Sequence, residues 1–163
     1  MKKTIYPIRS EKTLLKKQST ISVFLVDDDK VYLATLEYYL NKQLESKIQI
    51  ESFTNGEDCL YEVERNPTIE VVILDYYLNT ESSNKMSGLN VLNKIKEINS
   101  DIIVIMLSGE DKLAVAIDCI TYGAYEFVVK SETAFIRTQN ILKNIIHSIE
   151  LQSYYPPDIG GEA

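Results

Sequence analysis

One short run constrains this chain more than any other: Val71-Val72-Ile73-Leu74, four apolar residues that end in a single carboxylate, Asp75. A run so short and so rich in β-branched residues predicts a strand buried on both faces, as in a parallel sheet. Asp75 then falls at the carboxyl end of that strand, the edge where ligands collect in open parallel α/β sheets. Three further runs share the shape. Val23 to Val26 leads into Asp27-Asp28-Asp29, Ile102 to Leu107 into Ser108, and Phe127 to Val129 into Lys130. If the strands are parallel, all of these polar groups meet at one edge of one sheet.

The segments between the runs read as helices. Lys30 to Leu44 carries apolar residues at 33, 36, 40 and 44, a helical stripe, with Asp29 as its predicted N-cap. Ile48, Ile50 and Phe53 alternate with polar residues, which predicts a strand nearer the sheet edge. Asn55 to Asp58 is a turn and helix start, and Pro67 stops the helix that follows. Leu89, Leu92, Ile95 and Ile98 predict a third helix. Leu113 to Tyr122 predicts a fourth, closed by Gly123. The last helix runs to about Tyr154 on Phe135, Leu142, Ile145 or Ile146, and Ile149, with Ser131 expected to cap it. Five β-α alternations in 163 residues predict one doubly wound α/β domain over residues 21–152. A basic extension (1–20) and a loose tail (153–163) flank it.

Charge narrows the partners. Residues 1–20 hold Lys2, Lys3, Arg9, Lys12, Lys16 and Lys17 against Glu11, a sum of +5. With a net charge of -7 overall, the remainder carries -12. A domain so acidic repels nucleic acid phosphates. No apolar stretch approaches the ~20 residues of a membrane helix. The basic start lacks an apolar h-region, so a cytoplasmic location is expected. Cys59 and Cys119 are expected to be reduced core thiols.

The edge cluster has its own chemistry. Asp27, Asp28 and Asp75 on neighbouring strands, ~5 Å apart at an effective dielectric of ~20, repel by roughly 3 kcal/mol per pair. Such a cluster calls for a cation, and a small all-oxygen site suits Mg2+. A metal beside Asp75 draws in phosphate and makes that carboxylate a candidate nucleophile forming an aspartyl phosphate. Ser108 supplies a hydroxyl and Lys130 a positive charge for the oxygens of the transferred group.

The set resembles the receiver domain of two-component response regulators. The resemblance rests on Phe24-Leu25-Val26-Asp27-Asp28, Val71 to Asp75, Met86-Ser87-Gly88-Leu89, Ile105 to Gly109, and Tyr122-Gly123-Ala124 through Phe127-Val128-Val129-Lys130. It implies a flavodoxin-like five-stranded parallel sheet of order 2-1-3-4-5. It also implies a non-enzymatic switch, phosphorylated on Asp75 by a histidine kinase or phosphotransfer protein. By the same resemblance Asp28 holds Mg2+ directly, Asp27 supports it, and the main-chain carbonyl of Tyr77 completes the protein ligands. Ser108 moves toward the phosphoryl group, Lys130 pairs with it, and Phe127 turns inward as the coupled aromatic. Without a DNA-binding or enzymatic module in these residues, the output expected is protein binding, relay or dimerisation. The expected surface is that of the fourth helix, the fifth strand and the last helix. Ile141 and Ile145 widen the apolar stripe of that helix and suggest a homodimer contact.

Three departures from the family pattern stand out. The loop after Asp75 is long, with Asn79 where Pro is common. Tyr77 is bulky for its place and is expected to shield an aspartyl phosphate from water. Ser131 replaces the usual Pro, which puts a cis peptide there in doubt, since a cis bond before a non-proline costs ~3 kcal/mol. Two other readings compete with the switch. One is a receiver-like scaffold that takes no phosphate. The other is a hydrolase resembling the haloacid dehalogenase superfamily, with Asp27 as nucleophile of an Asp-x-Asp motif and Asp75 left without a task.

Overall fold

The computed structural model describes residues 20–78 and 86–154. Strands and helices alternate along them: β1 (Ile21–Val26), α1 (Lys30–Leu44), a 3-10 turn (Glu45–Lys47), β2 (Ile48–Phe53), α2 (Gly56–Arg65), β3 (Val71–Asp75), α3 (Gly88–Ile98), β4 (Ile103–Ser108), α4 (Leu113–Thr121), β5 (Glu126–Val129) and α5 (Ala134–Tyr154). All five strands are parallel, in the order β2-β1-β3-β4-β5. The half-alternating run Ile48 to Phe53 forms an edge, as its pattern predicts, and all five residues of β3 are buried. The expected helix over Ser10 to Gln18, the loop residues 79–85 and the end of the tail lie outside the described residues.

The pleat sends successive side chains to opposite faces, and each face has its own core. Phe24, Val26, Val72, Leu74, Val104, Met106 and Phe127 pack toward α2, α3 and α4. Val23, Leu25, Val71, Ile73, Ile105, Leu107 and Val128 pack toward α1 and α5. The same parity, carried past the strand ends, assigns Asp27, Asp75 and Lys130 to the α1–α5 side, and Ser108 to the other with Phe127.

Local signals set most helix ends. Asp29 caps α1, its Oδ1 accepting from the N–H groups of Val31 (2.9 Å) and Tyr32 (3.1 Å). Asn55 caps α2 and Ser87 caps α3 in the same way. Gly123, at φ +93°, follows α4 in a conformation that favours glycine. Both cysteines are free and buried, and burial pushes their thiols up, to about 12 at Cys59 and about 11 at Cys119.

Three expectations need correction. The α3 stripe does not end on Ile98, which is 41% exposed; Val91 is buried instead. Steps of three residues fall short of a full turn by about 60° each, so a stripe built on them rotates off the core face. Ser131 does not cap α5: the helix begins at Ala134, and the Ser131 hydroxyl pairs with that of Thr133 at 3.2 Å. Ile145 is not available for a dimer contact, since it is buried in the domain's own core, and Ile141 packs against that core too.

Candidate functional site

The carboxyl ends of β1, β3, β4 and β5 converge because the strands pair in step. Val26 faces Leu74, Asp75 faces Leu107, and Ser108 faces Val129. Main-chain bonds carry the ladder just beyond, from Asp27 N–H to the Phe53 carbonyl (3.1 Å), Tyr76 N–H to Leu107 (2.8 Å) and Lys130 N–H to Ser108 (2.7 Å). The polar residues that follow each apolar run are therefore fixed by the sheet itself.

Asp27, Asp28 and Asp75 each offer a carboxylate oxygen within 4.8 Å of the other two. Asp27 and Asp75 are buried, and Asp28 is exposed at the rim. Lys130 bridges the buried pair, its Nζ 2.7 Å from Asp27 Oδ2 and 2.8 Å from Asp75 Oδ1. Burial raises the pKa of Asp27 and Asp75 against the pull of Lys130, Asp75 to about 6. Burial also opposes the charge of Lys130, but its bonds to the two carboxylates outweigh this and raise its pKa. One ammonium among three carboxylates leaves the cluster negative. The donor set is oxygen only, which suits a hard divalent cation with room for waters, so Mg2+ fits these residues.

Ser108 is fully buried, and its Oγ accepts from the N–H of Glu110 at 3.1 Å. Phe127 is 9% exposed and already packed inward, against the α2–α4 core. Tyr77 is half-buried, edge-on to Tyr76 with ring centroids 4.8 Å apart; burial first, then the neighbouring Glu110 carboxylate, raises its pKa, and Glu110 pairs with Lys112. Sequence reasoning missed Glu110 and, above all, Tyr32. The Tyr32 ring lies 4.6 Å from Lys130 Nζ. Its signal was an aromatic residue in the first turn after the acidic cluster, read there only as part of a helix. No cis peptide occurs in the described backbone, in keeping with Ser131 after Lys130.

A family model, "Response regulator receiver domain", matches residues 23–142. The chain belongs to this family. Receiver domains are generally non-enzymatic signalling domains of two-component systems, and they typically bind Mg2+ at an acidic pocket of this kind. The receiver domain is similar to a "Cyclic di-GMP phosphodiesterase" of Thermotoga maritima, 27% identical over 82% of this chain and 34% of that one. It is also similar to "Response regulator protein TodT" of Pseudomonas putida, 26% identical over 77% of this chain and 51% of that one. The chain thus spans about half or less of these relatives. Among solved structures it resembles a response regulator receiver domain protein from Clostridium thermocellum (25% identity, TM-score 0.68, 80% of this chain and 98% of that one). A CheY-like receiver domain protein from Methanospirillum hungatei JF-1 shares the fold at 19% identity (TM-score 0.69, 82% and 99%). The family that matches is the receiver domain and not a hydrolase, and Asp29, the second acid of the hydrolase reading's Asp-x-Asp motif, caps α1.

Proposed function

We propose that this receiver domain takes a phosphoryl group on Asp75 and changes its protein contacts accordingly. The observation that carries the reading is the placement of Lys130 between two buried carboxylates, with a third at the rim. A carboxylate oxygen of Asp75 attacks phosphorus of a phosphohistidine donor. The new O–P bond forms as the P–N bond breaks, and the histidine nitrogen leaves with the electron pair and takes up a proton. Asp27, Asp28, Asp75 and the main-chain carbonyl of Tyr77 would hold Mg2+, which screens the charge gathering on the phosphoryl oxygens. Lys130 turns from Asp75 to the phosphoryl group, and Ser108 donates its hydroxyl to it. Phe127, on the same side of the sheet as Ser108, carries the change toward α4 and β5.

The donor is a sensor histidine kinase or a histidine phosphotransfer protein, and the setting is the cytoplasm. The receiver unit is residues 21–152, flanked in sequence by 1–20 and 153–163. The output face is the surface of α4, β5 and α5. Support for it comes from Leu113 (77% exposed), Ile117 (54%) and Ile120 (51%), three apolar residues along α4. A protein partner covers that face, or a second copy does, with exposed Ile136 of α5 at its border. No helix among the described residues is long and apolar enough to cross a membrane.

The test is intact mass after incubation with acetyl phosphate, with and without Mg2+, on the wild type and Asp75→Ala. A Mg2+-dependent gain of one phosphoryl group, lost with Asp75, is expected. A gain that survives loss of Asp75 refutes the assignment of the acceptor, and no gain at all favours the scaffold.

A further inference from the structure

The surroundings of Lys130 do not end at its two carboxylates. An ammonium carries three N–H donors. Asp27 and Asp75 engage it at 2.7 and 2.8 Å, and the face of the Tyr32 ring takes the remaining side at 4.6 Å from the centroid. A ring face is a site of negative potential that attracts a cation, most strongly where water is excluded. The Lys130 side chain is 18% exposed, so little water competes.

Tyr32 is itself held from several directions. Its N–H is fixed to the Asp29 carboxylate in the cap of α1, at 3.1 Å. Its ring meets Phe135 of α5 edge-on, with centroids 5.3 Å apart, and Phe135 meets Tyr39 at 5.6 Å. The Tyr39 hydroxyl donates to Oε1 of buried Gln139 at 2.7 Å. Two helices thus brace one aromatic ring against Lys130. Packing alone would need an apolar side chain there, but not a ring with its face toward an ammonium.

We propose that Tyr32 is a positioning residue for Lys130, its ring face fixing the point from which the ammonium turns to the group arriving on Asp75. The proposal rests on the phosphoryl-acceptor reading for its consequence, though not for its geometry. Without the ring, the four-carbon stem of Lys130 has more places to be, and fewer of them serve the transfer. The tyrosine hydroxyl has no part in this, so phenylalanine should substitute for tyrosine.

The test uses the full chain with Tyr32→Phe, Tyr32→Leu and Tyr32→Met, the last an unbranched side chain that adapts to the gap should Leu not fold. The first readout is NMR of the Lys130 side chain, assigned through Lys130→Arg. Ring-current shifts of the Hε protons are expected in the wild type and in Tyr32→Phe, and their loss in Tyr32→Leu and Tyr32→Met. The second readout is the rate of mass gain against acetyl phosphate concentration. Tyr32→Leu and Tyr32→Met should lower the maximal rate roughly three- to tenfold, the range of one cation–π contact, with the half-saturating concentration unchanged. Tyr32→Phe should keep the wild-type rate. Unshifted Lys130 protons in the wild type overturn the positioning role, as does a wild-type rate in a folded variant without the ring. Failure of the wild type to take phosphate overturns the acceptor reading and leaves the NMR arm to judge the positioning alone.

Discussion

Gly88 lies against the main-chain carbonyl of Asp75, so close that a Cβ at residue 88 would overlap that oxygen and come within 2.8 Å of the Tyr76 Cα. Both obstacles are backbone and cannot swing aside. The contact also explains the Gly88 N–H bond to the Tyr76 carbonyl at 3.1 Å, which pulls the start of α3 onto the loop after Asp75. Gly88→Ala is therefore expected to destabilise the domain by about 2–4 kcal/mol through backbone displacement and to weaken Mg2+ binding with it. Gly109, the other glycine beside the site, has open space around its would-be Cβ. Gly109→Ala should change stability by less than ~1 kcal/mol. Urea denaturation of the two variants checks the contrast, and equal losses would refute it.

Lys130 is the counter-ion of two buried carboxylates at once. Removing one member of a buried ion pair leaves the others uncompensated, at a cost of about 3–5 kcal/mol. Lys130→Met, which keeps the volume, should lower stability by that order at pH 7.5 without Mg2+. The loss should shrink on acidification to pH 5, as the carboxylates take up protons, and on addition of Mg2+. Thermal melts at the two pH values check it; a loss that does not depend on pH would mean that packing, not charge, is what Lys130 supplies.

Much of this was legible in the chain because the relevant signals are local. Runs ending in Asp75, Ser108 and Lys130 name both the strands and the edge residues, since the register of parallel strands brings equivalent ends together. The cap at Asp29 and the helix start at Asn55 to Asp58 were readable for the same reason. What escaped depended on distant geometry. Tyr32 looks like any helical tyrosine until α1 is laid across the sheet edge, and its link to Phe135 spans about a hundred residues. Ile145 looked like surplus apolar surface on α5, and only the packed face of the sheet shows that the core uses it. Ile98 failed because spacing by three tracks a helix face for only a turn or two.

Asp75 should make stability depend on pH. Burial, opposed by Lys130 and reinforced by Asp27 and Asp28, lifts its pKa from 3.8 to about 6. The unfolded chain ionises this group near 3.8, whereas the native state resists until about 6. The group's favourable contribution is therefore complete below 3.8 and lost as pH rises through 6. The span corresponds to a loss on the order of 2–3 kcal/mol. Subtracting the Asp75→Asn profile from the wild-type profile isolates it: the variant should be the more stable protein at pH 7.5, with the difference closing toward pH 4. Mg2+ at 100 times its Kd should restore about 2.7 kcal/mol to the wild type, and much less to Asp75→Asn. A difference profile that is flat from pH 4 to 7.5 would refute the raised pKa.

With Asp75 as the proposed acceptor, Tyr77 is expected to lengthen the lifetime of the phosphorylated state. Its ring is half-buried beside Tyr76, and it is close enough to the Glu110 carboxylate, two residues beyond Ser108, for that charge to raise its pKa. Glu110 is in turn paired with Lys112 and takes the Ser108 hydroxyl oxygen as acceptor for its N–H. The tyrosine thus neighbours the loop that follows β4. An acyl phosphate is lost when water reaches phosphorus in line with the Asp75 oxygen, and a large ring two residues past Asp75 is expected to reduce that access. Tyr77→Asn, small and polar, should shorten the half-life of the phosphorylated protein roughly tenfold, about 1.4 kcal/mol in the barrier. Glu110→Gln, which keeps the side chain's shape but removes its charge, should fall between the wild type and Tyr77→Asn. The decay of the phosphorylated mass after removal of acetyl phosphate measures both. A Tyr77→Asn half-life equal to that of the wild type would show that water reaches the phosphorus by a path the ring does not cover.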